Sequence, residues 1–431
     1  MKKIIALLLA CVMVLGLFAG CSSSAPAETK AAPAETKAAA EAPAETEAPA
    51  APEAVTLKVW GPQEDQVDSS SWLPAMCEKF NEAHPEWDIT FKYEVCSEGD
   101  ASKNVVQDVS AAADVYMFAN DQLGTLMQAN AIAQLGGAYL DQVLADNSDS
   151  MIASVTGTDG GVYGVPFTGN TWFMYYDKSV FSEEDIKSLD AMLEKGKVSF
   201  PLTNSWYIAS FFFANGGSIF GEAGIDAAAG VDFGGGNGTA VTEYLVNMYA
   251  NPNFVLDADS SGMAGLRDGS VNAIFSGTWD AAAVQEALGD NFGAAQLPTV
   301  NIGGEAKQLK SFAGSKAIGV NPNCQNMQVA VALAVYLGSA EAQLAHYEMR
   351  GIIPTSLALT TDETIMADAV AVAQANTIAN TSVVQSTIPE MGNYWTPSEN
   401  FGKAIVSGEV TLDNAAEKTE AYNTAMNNTG L

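Results

Sequence analysis

The stretch GVYGVPFTGNTWFMYYDK, Gly161 to Lys178, constrains the fold more than any other part of the chain. Val, Tyr, Phe and Trp favour extended backbone, and Pro166 and Gly169 punctuate it. Two strand-like runs result, Gly161 to Phe167 and Thr171 to Asp177, with the polar break Thr168-Gly169-Asn170 between them. A chain leaving one body and entering another through extended backbone reads this way. At 431 residues the chain also exceeds the ~250–300 that one core usually serves, so two lobes are expected.

The flanks agree with two α/β bodies. VTLKVW, from Val55, alternates apolar and polar residues as a strand does. A loop follows, Gly61 to Ser70, and then a helix whose apolar face carries Trp72, Leu73, Met76 and Phe80. Ile89, Phe91, Tyr93 and Val95 form a second strand, and Asp114 to Phe118 a third. Strand, helix, strand, helix, strand is the α/β pattern, in which ligands sit at the carboxyl ends of strands. Here those ends are Gly61 to Asp68 and Ala119 to Gln122. Beyond Gly169, helices are predicted at Ser182–Lys195, Ser205–Ala214, Thr239–Ala250 and Trp279–Leu288, with strands near Val271–Phe275 and Phe292–Leu297. The runs Gln308–Phe312 and Lys316–Val320 read as a second crossing, and a third is placed after the helix Ala367–Asn380. Ile388 to Trp395 reads as a loop. One lobe is then 55–167 with 316–377, and the other 168–315 with 378–431.

The start of the chain reads as an address. Lys2 and Lys3 precede the apolar run Ile4 to Phe18, and Phe-Ala-Gly-Cys ends at Cys21. That tetrapeptide resembles the lipobox of bacterial lipoproteins, which implies a signal peptide of residues 1–20 and lipid on Cys21. Residues 21–54, with the repeat PAETKAA, are too poor in large apolar side chains for a core and read as a disordered tether. The expected place is the outer face of the cell membrane. The three remaining cysteines, Cys77, Cys96 and Cys324, are read as free thiols, with a Cys77–Cys96 bond as the alternative.

Fifty-one acidic against 19 basic residues, a net charge of −32, argue against nucleic acid and anionic ligands. Neutral or cationic ligands remain. No Walker loop, complete GxGxxG or GxSxG occurs. His84 and His346 are the only histidines, so a Ser-His or zinc site is poorly supplied. DADSSGMAGLRD, Asp257 to Asp268, approaches a calcium loop but has Asp at position 12 and Ala264 at position 8. A short helix begun near Gly262 is the preferred reading, so no metal and no cofactor are expected.

What remains is aromatic and carboxylate. Trp60, Trp72, Trp87 and Trp172 fall in packing patterns, whereas Trp206, Trp279 and Trp395 sit where loops meet helices. Glu64, Asp65 and Asp121 lie at predicted strand ends of the other lobe. Flat rings suit the apolar faces of a pyranose, and carboxylates and amides suit its hydroxyl rim. A sugar cleft is the expectation. The same carboxylates leave open a glycoside hydrolase or a polyamine binder.

The motifs VTLKVWGPQEDQ, AAADVYMFANDQLGTL, YGVPFTGNTWFMYYDKSVF, SWYIASFFFANGG, AIFSGTWD, FAGSKAIGVNP and IPEMGNYW, in this order, resemble the extracellular solute-binding proteins of ABC importers, within the maltose- and maltodextrin-binding group. The resemblance spans nearly all of Val55 to Leu431. It implies a periplasmic-binding-protein-like fold: two α/β lobes, each a mixed sheet flanked by helices, joined by three hinge crossings. It also implies a non-enzymatic monomer that captures maltodextrin by closing and delivers it to a permease. Xylo-, fructo- and manno-oligosaccharides are the alternatives. Sugar contacts would fall on Gln63, Glu64, Asp65, Asn120 and Asp121, and stacking on Trp206, Tyr207, Trp279 and Trp395. Phe118, Gln122 and Asn170 stand where the best-known maltose binder has Trp, Arg and Glu, and Phe118 and Asn170 are carried as contacts.

Overall fold

The computed structural model describes residues 52–259 and 261–428. The expected signal peptide, Cys21 and the tether up to residue 51 lie outside them. Among the described residues, β1 (Glu53–Gly61), β2 (Trp87–Val95) and β3 (Val115–Ala119) open the first sheet. The first strand starts two residues ahead of the expected Val55, because Glu53 and Ala54 pair with Trp87 and Asp88. β1 is parallel to both β2 and β3. β3 is buried along its whole length, as a central strand must be.

The crossing seen in the sequence is β4 (Val165–Thr171) followed by β5 (Phe173–Asp177). Thr168, Gly169 and Asn170 do not break the first strand. They remain paired in it, and the change of sheet falls at Trp172. β6 (Val198–Phe200), a short hairpin β7 (Ser218–Ile219) and β8 (Val231–Asp232), then β9 (Phe254–Leu256), β10 (Ala273–Ser276) and β11 (Phe292–Ala295) follow. The second sheet has the order β11-β5-β10-β6-β9 and is mixed. After the hairpin β12 (Thr299–Ile302) and β13 (Glu305–Gln308), the chain returns through β14 (Ser311–Val320). The predicted pair Gln308–Phe312 and Lys316–Val320 is therefore one ten-residue strand preceded by a separate hairpin. β14 pairs with β3, β4 and the late strand β15 (Ser382–Val384), so the first two crossings are laddered into the first sheet.

Each sheet has its own core. One cluster joins Leu57, Trp72, Phe80 and Phe118 to Leu333 and Leu337. Two others lie against the second sheet. One gathers Trp172, Phe200, Phe211 and Tyr394, and the other Phe173, Tyr175, Ile274 and Val284. The last of these includes Ile353, Leu359, Ile365, Val370 and Ala371. The segment 353–377, expected in the first lobe, packs on the second. Val370, Ala371 and Ala373 present small apolar faces that fit β5 and β11 closely, and the chain crosses near Gly351–Ile353 instead.

Candidate functional site

Four expected residues, Asp121, Asn170, Trp206 and Trp395, line one cavity of about 340 Å³. Ala119, Gln122, Gly99 and Gln385 complete its wall. Local structure explains the convergence. Asp121 sits in the turn Asn120–Gln122, at the carboxyl end of β3. Asn170 rides on β4 just before the crossing. Trp206 is the second residue of the helix Ser205–Ala214, whose start is capped by the Asn204 side chain accepting the Trp206 N–H at 2.9 Å. Trp395 was expected in a loop. It stands instead in the first turn of the helix Gly392–Val406, because Tyr394, Ser398, Phe401 and Ile405 form a buried stripe at helical spacing. The Tyr394 hydroxyl donates to the Ser205 carbonyl at 2.6 Å, tying the two Trp-bearing helices together.

A second cavity of about 540 Å³ lies at the carboxyl ends of β6, β9 and β10. Tyr207, Trp279, Asp257, Asp280, Glu399 and Lys403 are among its lining. Trp279 is 53% exposed, and its ring lies 5.9 Å from that of Trp206 at 34°. The aromatic surface thus continues from one cavity to the next. Tyr207 is buried against Trp172, 4.7 Å between ring centres, and burial raises its hydroxyl pKa. It forms the floor beneath Trp206 and is no free stacking face.

The first lobe brings fewer groups than expected. Asp65 is 2% exposed and already spent: its Oδ1 accepts from His346 Nε2 at 3.0 Å and Arg350 Nε at 3.2 Å. A carboxylate leaving water needs such partners. Gln63 and Glu64 are exposed on the same turn and do not line the cavity. Phe118 is fully buried in the core beside Tyr116, since β3 has no solvent face, and is not a contact. Asn120 is sealed as well. Its Nδ2 donates to the Gln385 carbonyl at 3.5 Å and its Oδ1 has no partner, so it braces the segment after β15.

Asp121 differs from all of these. Burial pushes its carboxyl up to about 6, only partly offset by a backbone hydrogen bond. No cation lines the cavity to favour the charged form. The sequence singled out neither Gln385 nor Arg350, marked Gln122 only as a departure from the family pattern, and marked His346 only as a lone histidine. Gln122 is committed to the Ser102 N–H and the Glu98 carbonyl. The Asp257–Asp268 segment is a helix from Ser261, with Asp257 Oδ1 accepting the Gly262 N–H at 2.9 Å. Among the described residues no metal-ligating cluster occurs. Cys77, Cys96 and Cys324 are free and buried.

The family model for bacterial extracellular solute-binding proteins matches residues 75–374. The chain belongs to that family. As a solute-binding protein it is similar to the galactooligosaccharide-binding protein of Bacillus subtilis, 27% identical over 325 residues, 70% of this chain and 75% of that one. It is also similar to the maltooligosaccharide ABC transporter solute-binding lipoprotein of Streptococcus pneumoniae serotype 4, 26% identical over 323 residues, 70% of this chain and 74% of the other. A solved structure described as "with acarbose" is 54% identical and superposes with a TM-score of 0.82, covering 87% of this chain and 99% of its own. The maltodextrin-binding protein MalE1 of L. casei BL23 shares the fold at 24% identity, TM-score 0.80, with 87% and 99% covered.

Proposed function

We propose that this solute-binding protein captures a neutral malto-oligosaccharide between its two lobes and delivers it to an ABC permease. The observation carrying this reading is that Trp206 and Trp395 share a cavity with Asp121 and Asn170. Rings from one lobe meet a carboxylate and an amide from the other, the two surfaces that a pyranose presents. Relatives named for maltooligosaccharides, and the 54% identical structure with acarbose, support the same class. Trp279 extends the platform for further hexoses, and Tyr207 backs it. A ligand touching both lobes favours their closure by the difference in its affinity for the open and closed states.

Asp121 is the one carboxylate lining that cavity. The reading is capture without bond cleavage, in keeping with a family of solute-binding proteins. The lipid-bearing Cys21 would hold the protein at the outer membrane face, as the lipoprotein relative supports.

Titration calorimetry with maltotetraose against xylo-, fructo- and manno-tetraose tests the proposal. Micromolar or tighter binding of maltotetraose, recovered intact by chromatography after overnight incubation, is expected. Preference for another series, or shortened sugar, would overturn it. A cationic ligand is the second reading, motivated by Asp257, Asp280 and Glu399 in the larger cavity. Spermidine binding that collapses with salt would favour that reading over the sugar.

A further inference from the structure

The Trp206 indole N–H donates to Gln385 Oε1 at 2.8 Å. An indole nitrogen can only donate, so the atom facing it must be the amide oxygen. The amide N–H2 group therefore points the other way. It donates to no protein acceptor among the described residues, although Gln385 is only 4% exposed. Unlike Asn120 Oδ1, it is not sealed from solvent, and Gln385 lines the cavity beside Asp121 and Asn170. A donor pair open to the cavity is free to give its hydrogen bonds to a bound molecule in place of water.

The backbone of the same residue, just past β15, is tied to both neighbours of the cavity. The Gln385 N–H donates to Ala313 in β14 at 2.8 Å, and its carbonyl accepts from Asn120 of the first lobe. Its side chain reaches Trp206 of the second lobe. One residue just past β15 thus touches both lobes and the cavity between them.

We infer that Gln385 contacts the ligand directly, with Trp206 locking its amide so that the N–H groups face the cleft and select a sugar presenting an acceptor oxygen there. The inference rests on the oligosaccharide reading above. It assigns a contact to a residue whose side chain would otherwise be mere packing under an aromatic ring. It also makes the ring and the amide one unit: the stacking surface fixes the donor, and the donor fixes the ring.

The test is a double-mutant cycle read by maltotetraose titration, with melting temperature as control. Gln385→Met keeps the backbone bonds to Ala313 and Asn120 and removes only the amide. It is expected to raise Kd at least tenfold with the melting temperature within a few degrees of the parent. Trp206→Phe keeps a stacking ring and removes the lock. It is expected to weaken the parent protein clearly but to add little to Gln385→Met, since no amide remains to be held. Parent-like affinity in Gln385→Met overturns the inference. So does full additivity of the two changes, which would mean that the ring and the amide act separately. Should Gln385→Met fail to fold, Gln385→Asn asks the same question with a side chain too short to reach both the indole and the cleft; parent-like affinity there is equally fatal. A parent protein that binds none of the sugars overturns the functional reading and this inference together. Binding by the parent with no effect of Gln385 overturns this inference alone.

Discussion

Asp121→Asn should make the protein more stable and a worse binder at once. The carboxyl titrates near 6 in the folded chain against an ordinary 3.8, because burial disfavours its charge. Between those two pH values the folded state holds a proton that the unfolded state has lost. Stability therefore falls as pH rises through that window, and the full cost is present above pH 6. At ~1.4 kcal/mol per pH unit this amounts to about 3 kcal/mol as a ceiling. Contact of the cavity with water brings it nearer ~1–2 kcal/mol. Asparagine keeps the shape and removes the charge. Thermal melts of the ligand-free protein should show Asp121→Asn above the parent at pH 7.5 and level with it near pH 4. Sugar hydroxyls donating to a carboxylate favour its ionised form, so parent affinity should decline as pH falls below about 6. The variant should be insensitive to pH, and weaker by roughly ten- to a hundred-fold at pH 7.5 for the loss of a charged acceptor. Calorimetry at pH 7.5 and 5 reads both effects. A variant no more stable than the parent at pH 7.5, or a parent affinity flat across that range, would refute the reasoning.

Trp279→Ala, at a side chain more than half exposed, should leave the melting temperature unchanged and cost ~2 kcal/mol in maltotetraose binding, as aromatic anchors covered by a ligand do; unchanged affinity for every sugar removes Trp279 from the site. Arg350→Leu strips one partner from the buried Asp65 and should destabilise by about 3 kcal/mol in denaturant unfolding, with His346 left to hold the carboxylate alone. Phe118→Ala should cost ~3–5 kcal/mol of stability while the folded fraction binds sugar as before; a selective loss of affinity would return that ring to the cleft.

Much of the scaffold could be read from residues alone, because strands and helices announce themselves by period. The helix Ser205–Ala214 and the strands around Leu57 and Phe91 are local matters of alternation and capping. Residue type together with position at an element's end was enough to single out Trp206 and Asp121, which line the same cavity. It was not legible where long-range partners decide. Asp65 and Asp121 look alike in sequence, yet Asp65 is claimed by Arg350, 285 positions away, while Asp121 meets no cation. Trp395 was misplaced because Pro389, Gly392 and Pro397 read as breakers, although the stripe through Tyr394 and Phe401 was there to see. The third crossing was set too late because an Ala-rich helix fits either sheet, and only packing chooses between them.

The ten residues of β14 have a mechanical consequence. They are laddered to the strands that lead into and out of the crossings, so those connectors are not loose straps but members of a plate. Swinging one half against the other then bends short peptide joints near Trp172, Leu309 and Gly351. Stiffness of the clamp and integrity of the plate become a single property, and neither can be softened without the other.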